Sequence, residues 1–309
     1  MWGGAMKIRW LEYFVAVAEE RHFGRAAERL GIAQPPLSRQ IKQIEDDLGA
    51  LLFNRGRSQV TLTQAGEKLL ERAQEILSLL EEAELEARRI GQGAQGRLRI
   101  GFVGSTTYGV IPNVLKSYRR HYPEVALGLF PMNNAGLRTA LIRREIDIAI
   151  ARPKLDDPEI TSRQLIEEPL VAALPDTHAF ANVGRVALRQ LAKETLILYP
   201  EKPRPSFADH VLNLFHNDGL EPDSRVFTMD FQTAISLVSV EVGAAIVPAS
   251  VGTAQRQGVR YVPISNPDAK TAVSVNSRID DQSVHVRRFV DIALRVSQRL
   301  CKGHARHGR

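Results

Sequence analysis

Along the first 90 residues, apolar positions return with the period of a helix. Trp10, Phe14, Val17 and Ala18 share one face of a helix expected near Arg9–Glu20. Ala26, Ala27 and Leu30 face inward from a short second helix near Gly24–Leu30, and Gly31 breaks it. Leu37, Ile41, Ile44 and Leu48 form the apolar face of a third, inside "IAQPPLSRQIKQIEDDLG". Pro35 and Pro36 sit in its first turn, where the backbone N–H has no intrahelical partner, and Gly49 supplies the stop. Two helices joined by a short glycine-containing turn have the helix-turn-helix spacing, and the small Ala26 and Ala27 let such helices approach closely. Strand-like runs at Leu51–Phe53 and Val60–Thr63 flank "NRGRSQ". They predict a two-stranded wing with Arg55 and Arg57 at its tip.

The next stretch predicts one long helix near Gln64–Ile90, with Thr63 as its N-cap. Ala65, Leu69, Ala73, Ile76, Leu80, Ala83, Ala87 and Ile90 step by three or four, close to a heptad seam. Such a helix spans roughly 40 Å and does not cover its own stripe, so a partner helix is expected. "GQGAQGR" ends it with a glycine-rich joint.

From about residue 97 to 300 the pattern alternates. "RLRIGFV", "VALGLFPM", "DIAIA", "PLVAALP", "ETLILYP", "AAIVPAS" and "RYVPIS" read as strands. "GVIPNVLKSYRRHYP", "AGLRTALIRREI", Phe207–Asp218 and Phe231–Val242 read as helices. Strands alternating with helices imply parallel βαβ units, and this length suggests a pair of them side by side. Ligands of such folds bind beyond the carboxyl ends of strands, often between units.

Composition adds limits rather than detail. A hydrophobic content of 44% and a charged content of 25% are ordinary for a globular protein. The single cysteine, Cys301, excludes an internal disulfide framework and a cysteine-rich zinc site, and suits a reducing cytosol. No run of about 18 apolar residues exists, so no membrane span is expected. "MWGGAMKIRW" does not have the pattern of a secretory signal, and Met6 is a second candidate start. The net charge of +6 points weakly to a polyanionic partner. Residues 301–309 read as a basic tail, and His304 and His307 have no carboxylate or thiol cluster beside them that would make a metal site.

The polar face of the proline-started helix carries Gln34, Ser38, Arg39, Lys42 and Gln43, without acid until Glu45. A helix-turn-helix lays its second helix in the major groove with its N-terminal residues at the base edges. Glutamine pairs with adenine and arginine with guanine or phosphate. Pro35 and Pro36 fix the helix start and offer apolar surface to sugars or thymine methyls. Arg55 and Arg57 suit a phosphate or a narrow minor groove.

With these residues in view, "LEYFVAVAEERHFGRAAERLGIAQPPLSRQIKQIEDDLGALLFNRGRSQVTLTQAG" resembles the winged helix-turn-helix of LysR-type transcriptional regulators. The resemblance runs across the long helix and nearly the whole chain. "IGFVGSTTYGVIPNVL", "LILYPEKPRPSFADHVLNLF" and "AAIVPASV" are similar to the branch that senses muconate and related acids and controls aromatic-compound catabolism. It implies an α/β chain with an N-terminal winged helix-turn-helix (6–63), a long linker helix for dimerisation (64–92) and an effector domain (97–300). That domain would have the two-subdomain, periplasmic-binding-protein-like (type II) fold, one subdomain from 97–168 and 272–300 and the other from 169–271. It further implies a cytoplasmic homotetramer, a dimer of dimers held through linker helices and effector domains. Its partners would be double-stranded promoter DNA, a small carboxylate effector and RNA polymerase. The family's DNA-contacting positions fall on Gln34, Pro35, Pro36, Ser38 and Arg39, plus the wing arginines.

The effector cleft can also be reasoned from residues. Ser105 and Thr106 follow "RIGFVG" and precede a helix, where hydroxyls and free N–H groups suit an anion. Met132–Asn134 follow the next strand in the same way. In the second unit Pro205 stiffens an approach to a helix that Ser206 caps, with the N–H of Phe207 facing the cleft. Several helix starts around one gap favour a carboxylate, and a dicarboxylate would bridge both units. By the resemblance, Ser105, Asn134 and Phe207 contact the effector, Asn134 standing where that branch often has threonine. An effector of another small-acid or aromatic kind is the alternative. An enzyme is disfavoured: "GSTTYG" is not a nucleophile elbow, and no P-loop, zinc-protease or dinucleotide motif appears, so no catalytic residue, metal or cofactor is expected. A transport-type solute receptor would not carry the attached DNA module.

Overall fold

The computed structural model describes residues 7–55 and 60–307; of Arg55 and of 301–307 it describes the backbone alone. The chain divides into two compact units, Met1–Ile90 and Gly91–Arg309.

In the first unit, α1 (Ile8–Glu20), α2 (Phe23–Arg29) and α3 (Gln34–Leu48) enclose a core of Phe14, Val17, Ala26, Leu37 and Ile41. Ala26 and Ala27 are buried, as the close helix approach requires. Pro35 and Pro36 lie inside the first turn of α3, after Ala33 as N-cap, and Gly49 closes the helix at φ 65°. Leu48 departs from the expected apolar face: it is the last residue of α3 before Gly49 and is exposed. β1 (Phe53–Arg55) and β2 (Val60–Leu62) pair antiparallel as the wing. The carboxylate of Glu45 accepts the N–H groups of Leu52 and Phe53 at 2.9 and 3.2 Å, which ties the wing to α3. The Phe53 ring sits against Phe14 and Phe23 at 5.3 and 6.0 Å.

α4 runs from Gln64 to Gly91. Thr63 caps it, its hydroxyl accepting the N–H of Gly66 at 3.0 Å. Ala73 packs on the first core, whereas Ile76, Ala83, Ala87 and Ile90 are exposed.

Among the described residues the second unit holds nine strands in the order β4-β3-β5-β11-β6-β9-β7-β8, with β10 also on β6. One lobe contains β3 (Gly96–Phe102), α5 (Ile111–His121), β4 (Val125–Pro131), α6 (Asn134–Ile142) and β5 (Ile148–Ala151). The other contains α7 (Leu188–Leu191), β7 (Thr195–Leu198), α8 (Phe207–Asn217), β8 (Ser224–Phe227), α9 (Phe231–Val238), β9 (Ala244–Pro248) and β10 (Val259–Pro263). β6 (Ile160–Pro175) belongs to both: its first part pairs with β11 (Lys270–Arg278), and Leu170–Ala173 pair with β9. α10 (Val284–His307) returns to the first lobe, where Phe289 packs with Ile100, Val114 and Tyr118. Each lobe thus has its own apolar core.

The expected parallel βαβ units are present; the correction is that two antiparallel strands join them. β3 pairs parallel with β4 and β5, and β7 with β8 and β9, but β6 and β11 run antiparallel to their neighbours. Both antiparallel strands pass between lobes, and their direction is set by that crossing. A second correction concerns Ser105: the strand does not feed directly into a helix. Gly104–Tyr108 form a 3-10 turn, and α5 begins only at Ile111.

Candidate DNA-reading helix and effector cleft

On α3 the apolar side packs on the core as far as Ile44: Leu37, Ile41 and Ile44 are at most 1% exposed. That fixes the opposite edge outward. Gln34, Pro35, Arg39 and Lys42 are exposed, and Pro36 and Ser38 are half-buried. Arg39 and Lys42 make no ion pair or side-chain hydrogen bond among the described residues, whereas other arginines of this unit are held, Arg29 to Glu19 at 2.7 Å for one. Two uncommitted cations on the exposed edge of an anchored helix suit a polyanion. The Arg55 side chain and Arg57 lie outside the described residues.

In the second unit the lobes meet around a buried arginine. Arg152 directly follows β5 and is 2% exposed. One Nη donates to Glu168 Oε1, while Nε and Nη1 are buried without a partner among the described residues. The other oxygen of Glu168 accepts the N–H of Ser250, at 2.8 Å, from the second lobe. Ser250 Oγ is buried and unpartnered as well. A buried donor without an acceptor is costly, about 1–3 kcal/mol and more when charged, so this guanidinium calls for an anion.

The expected effector residues fall into two groups around it. Ser105 is 2% exposed, and its hydroxyl makes no hydrogen bond among the described residues. The Asn134 amide brackets Arg152, accepting its backbone N–H at 3.3 Å and donating to the Pro153 carbonyl at 2.8 Å. Phe207 opens α8 and stacks its ring on Tyr199 at 5.3 Å. The field of Arg152 reaches Tyr199 and His210, whose titrations are governed first by burial, which raises the phenol and lowers the imidazole. Thr106 and Pro205 stand apart. The Thr106 hydroxyl is committed to the Val103 carbonyl at 2.6 Å, and Pro205 is exposed. Asp209 accepts the N–H of Ser206 at 2.7 Å and closes the first turn of α8.

Sequence reasoning missed Arg152, Glu168, Tyr199 and Ser250. For Arg152 a signal existed: a lone cation right after the wholly apolar "IAIA", at a strand's carboxyl end.

Comparison with known proteins agrees with both halves. Residues 8–67 match the bacterial regulatory helix-turn-helix protein, lysR family, and residues 91–298 match the LysR substrate binding domain. The chain belongs to the LysR family. It is a DNA-binding transcriptional regulator, not an enzyme. It is 44% identical over 287 residues to the HTH-type transcriptional regulator CatR of Pseudomonas putida, covering 93% of this chain and 98% of that one. It is also similar to the crystal structure of full-length CbnR complexed with its target DNA, at 29% identity and a TM-score of 0.75 over 94% of this chain and 100% of that one. The BenM effector binding domain with its effector benzoate is 32% identical, with a TM-score of 0.61 over 65% of this chain and 91% of that one. No helix among the described residues of the regulator is long and apolar enough to cross a membrane.

Proposed function

We propose that this regulator reads operator DNA with the exposed edge of α3 and responds to a small carboxylate gripped between its lobes by Arg152. Muconate or a related acid of aromatic catabolism is the effector class we favour. The observation that carries the reading is the buried guanidinium of Arg152 with two unused donors, beside the free hydroxyl of Ser105. Nε and Nη1 lie on different edges of the guanidinium, and each can donate a charge-assisted hydrogen bond to a carboxylate. Contacts from Ser105 in one lobe and Ser250 and Phe207 in the other would make binding favour a particular lobe arrangement, which is what a ligand needs to shift an equilibrium. CbnR with its target DNA and BenM with benzoate support these two roles by likeness. On this reading the protein acts in the cytoplasm as a tetramer, and effector binding alters its engagement of RNA polymerase at the promoter.

Calorimetry with cis,cis-muconate and gel shifts with promoter DNA test both halves on the full chain. Arg152→Lys keeps the charge but not the fixed, planar set of guanidinium donors, and is expected to weaken muconate by roughly tenfold or more with unchanged promoter affinity. Arg39→Ala is expected to do the reverse. If wild-type protein does not take up muconate, or if Arg152→Lys binds it as wild type does, the cleft reading fails.

A further inference from the structure

The ring of Phe231, at the start of α9, has two tyrosine neighbours. Tyr199, within the Arg152 cluster, is 6.4 Å away. Tyr108 meets it edge-on at 5.5 Å. Beyond Tyr108 is a groove of about 570 Å³ lined by Tyr108, Phe231, Gln232, Val251, Arg256 and Tyr261 among others. Its volume lies within the range of roughly 300–1,000 Å³ typical of small-molecule sites. Tyr108 ends the 3-10 turn of the first lobe, and the other five belong to the second, so the groove also spans the lobes.

Its chemistry is specific. The rings of Tyr108, Phe231 and Tyr261 come from separate elements and offer faces and edges to a flat ring. Arg256 makes no ion pair or side-chain hydrogen bond among the described residues. The Tyr261 hydroxyl is buried and unpartnered among them. Burial raises the Tyr261 phenol and the charge of Arg256 draws it back, so the two groups lie within electrostatic reach and the phenol is a donor at neutral pH. No acidic side chain is among the residues that line the groove. A cation and a hydrogen-bond donor beside an aromatic slot, with no counter-anion, fit a planar ring bearing a carboxylate.

We propose that this groove is a second ligand site, for a small aromatic carboxylate, distinct from the Arg152 site and sharing Phe231 as a wall. It does not depend on what the Arg152 site binds.

Fluorine NMR of the full chain labelled with 3-fluorotyrosine tests it, with benzoate as probe. Tyr108→Phe and Tyr261→Phe assign the two reporting signals. Benzoate is expected to move both saturably. Arg256→Ala, at an exposed position, is expected to raise the midpoint by roughly tenfold. Benzamide, which lacks the charge, and cyclohexanecarboxylate, which lacks the ring, are expected to bind more weakly than benzoate. Arg152→Lys is expected to leave this midpoint within about twofold while weakening muconate. The proposal is overturned if the two signals stay still, if Arg256→Ala changes nothing, if either comparator matches benzoate, or if the midpoint follows Arg152→Lys. A loss of muconate binding with intact benzoate shifts at Tyr108 would concern the first site alone.

Discussion

Glu168 shares its carboxylate between the lobes, taking Arg152 on one oxygen and the N–H of Ser250 on the other. It leaves Arg152 with a permanent counter-ion on one edge and free donors on the rest. Removing that charge strands a buried guanidinium, which in comparable pairs costs about 3–5 kcal/mol. The same removal strengthens the pull of the site on an added anion. Glu168→Gln is therefore expected to lower the ligand-free melting temperature and to tighten muconate binding at once; a variant that melts normally or binds more weakly contradicts the assignment. Protons act on this unit as well. Burial is the main cause that lowers His210 and His285, and both ring nitrogens of His285 are buried without a partner among the described residues. An unfolded imidazole titrates near 6.5, so below about that pH the unfolded chain takes up protons that the folded chain resists. Stability present at pH 7 is thus expected to fall as pH drops through about 6.5 and toward the lower folded values. His285→Gln should flatten that decline, as read from urea midpoints across the range. At this scale the sequence is partly legible. A hydroxyl after an apolar strand singles out Ser105, but the burial of Arg152 comes from Glu168, 16 residues on, and from its tie to Ser250, 82 residues further. Periodicity carries no record of such pairings.

Elements were easier to read where one face alone is buried. The periods of α1, α3 and α4 show because solvent lies on the other side, and capping residues such as Thr63 and Gly49 mark the ends. β6, β11 and α10 escaped, at least in part. The first part of β6, "ITSRQLIEEP", shows no clean alternation, because a register irregularity puts both Leu165 and Ile166 on the core while Arg163 and Gln164 are both exposed, and its partner strand lies about a hundred residues away in the chain. Close approaches are also invisible in one dimension. A Cβ on Gly66 would lie 2.2 Å from the carbonyl oxygen of Leu52, a backbone atom that cannot swing aside. Here the first turn of α4 presses against the segment leading into the wing. Gly66→Ala gains helix propensity, worth about 1 kcal/mol, but must displace the wing, and overpacking of this kind typically costs about 1–3 kcal/mol. The expected outcome is weaker promoter binding and a lower melting temperature, with muconate affinity unchanged because the effector cleft lies in the other unit. An alanine variant that binds DNA as wild type does would show that the wing tolerates the shift.

At the scale of the whole molecule, the exposed length of α4 decides what the chain can be. Its early turns are anchored, with Ala73 buried on the helix-turn-helix core, but Ile76, Ala83 and Ile90 then stand in one column at seven-residue steps, all exposed. A column at that spacing faces one direction along a helix, and burying it takes another helix with a matching seam. The need fits the DNA side of the function. A single recognition helix reads one half-site, and joining two through paired helices makes the second contact effectively intramolecular, multiplying affinity without a new contact. Replacing Ile76 and Ile90 together by glutamate puts charge into the seam while leaving the buried Ala73 and both units' cores intact. Light scattering on that variant is expected to show a smaller assembly than wild type. Promoter affinity should fall by roughly 10²-fold or more, the scale that linked binding contributes. Muconate binding to the same variant should be unchanged, which separates lost assembly from lost folding. If the variant keeps both its mass and its promoter affinity, the subunits join through some other surface, and the exposed column of α4 needs another explanation.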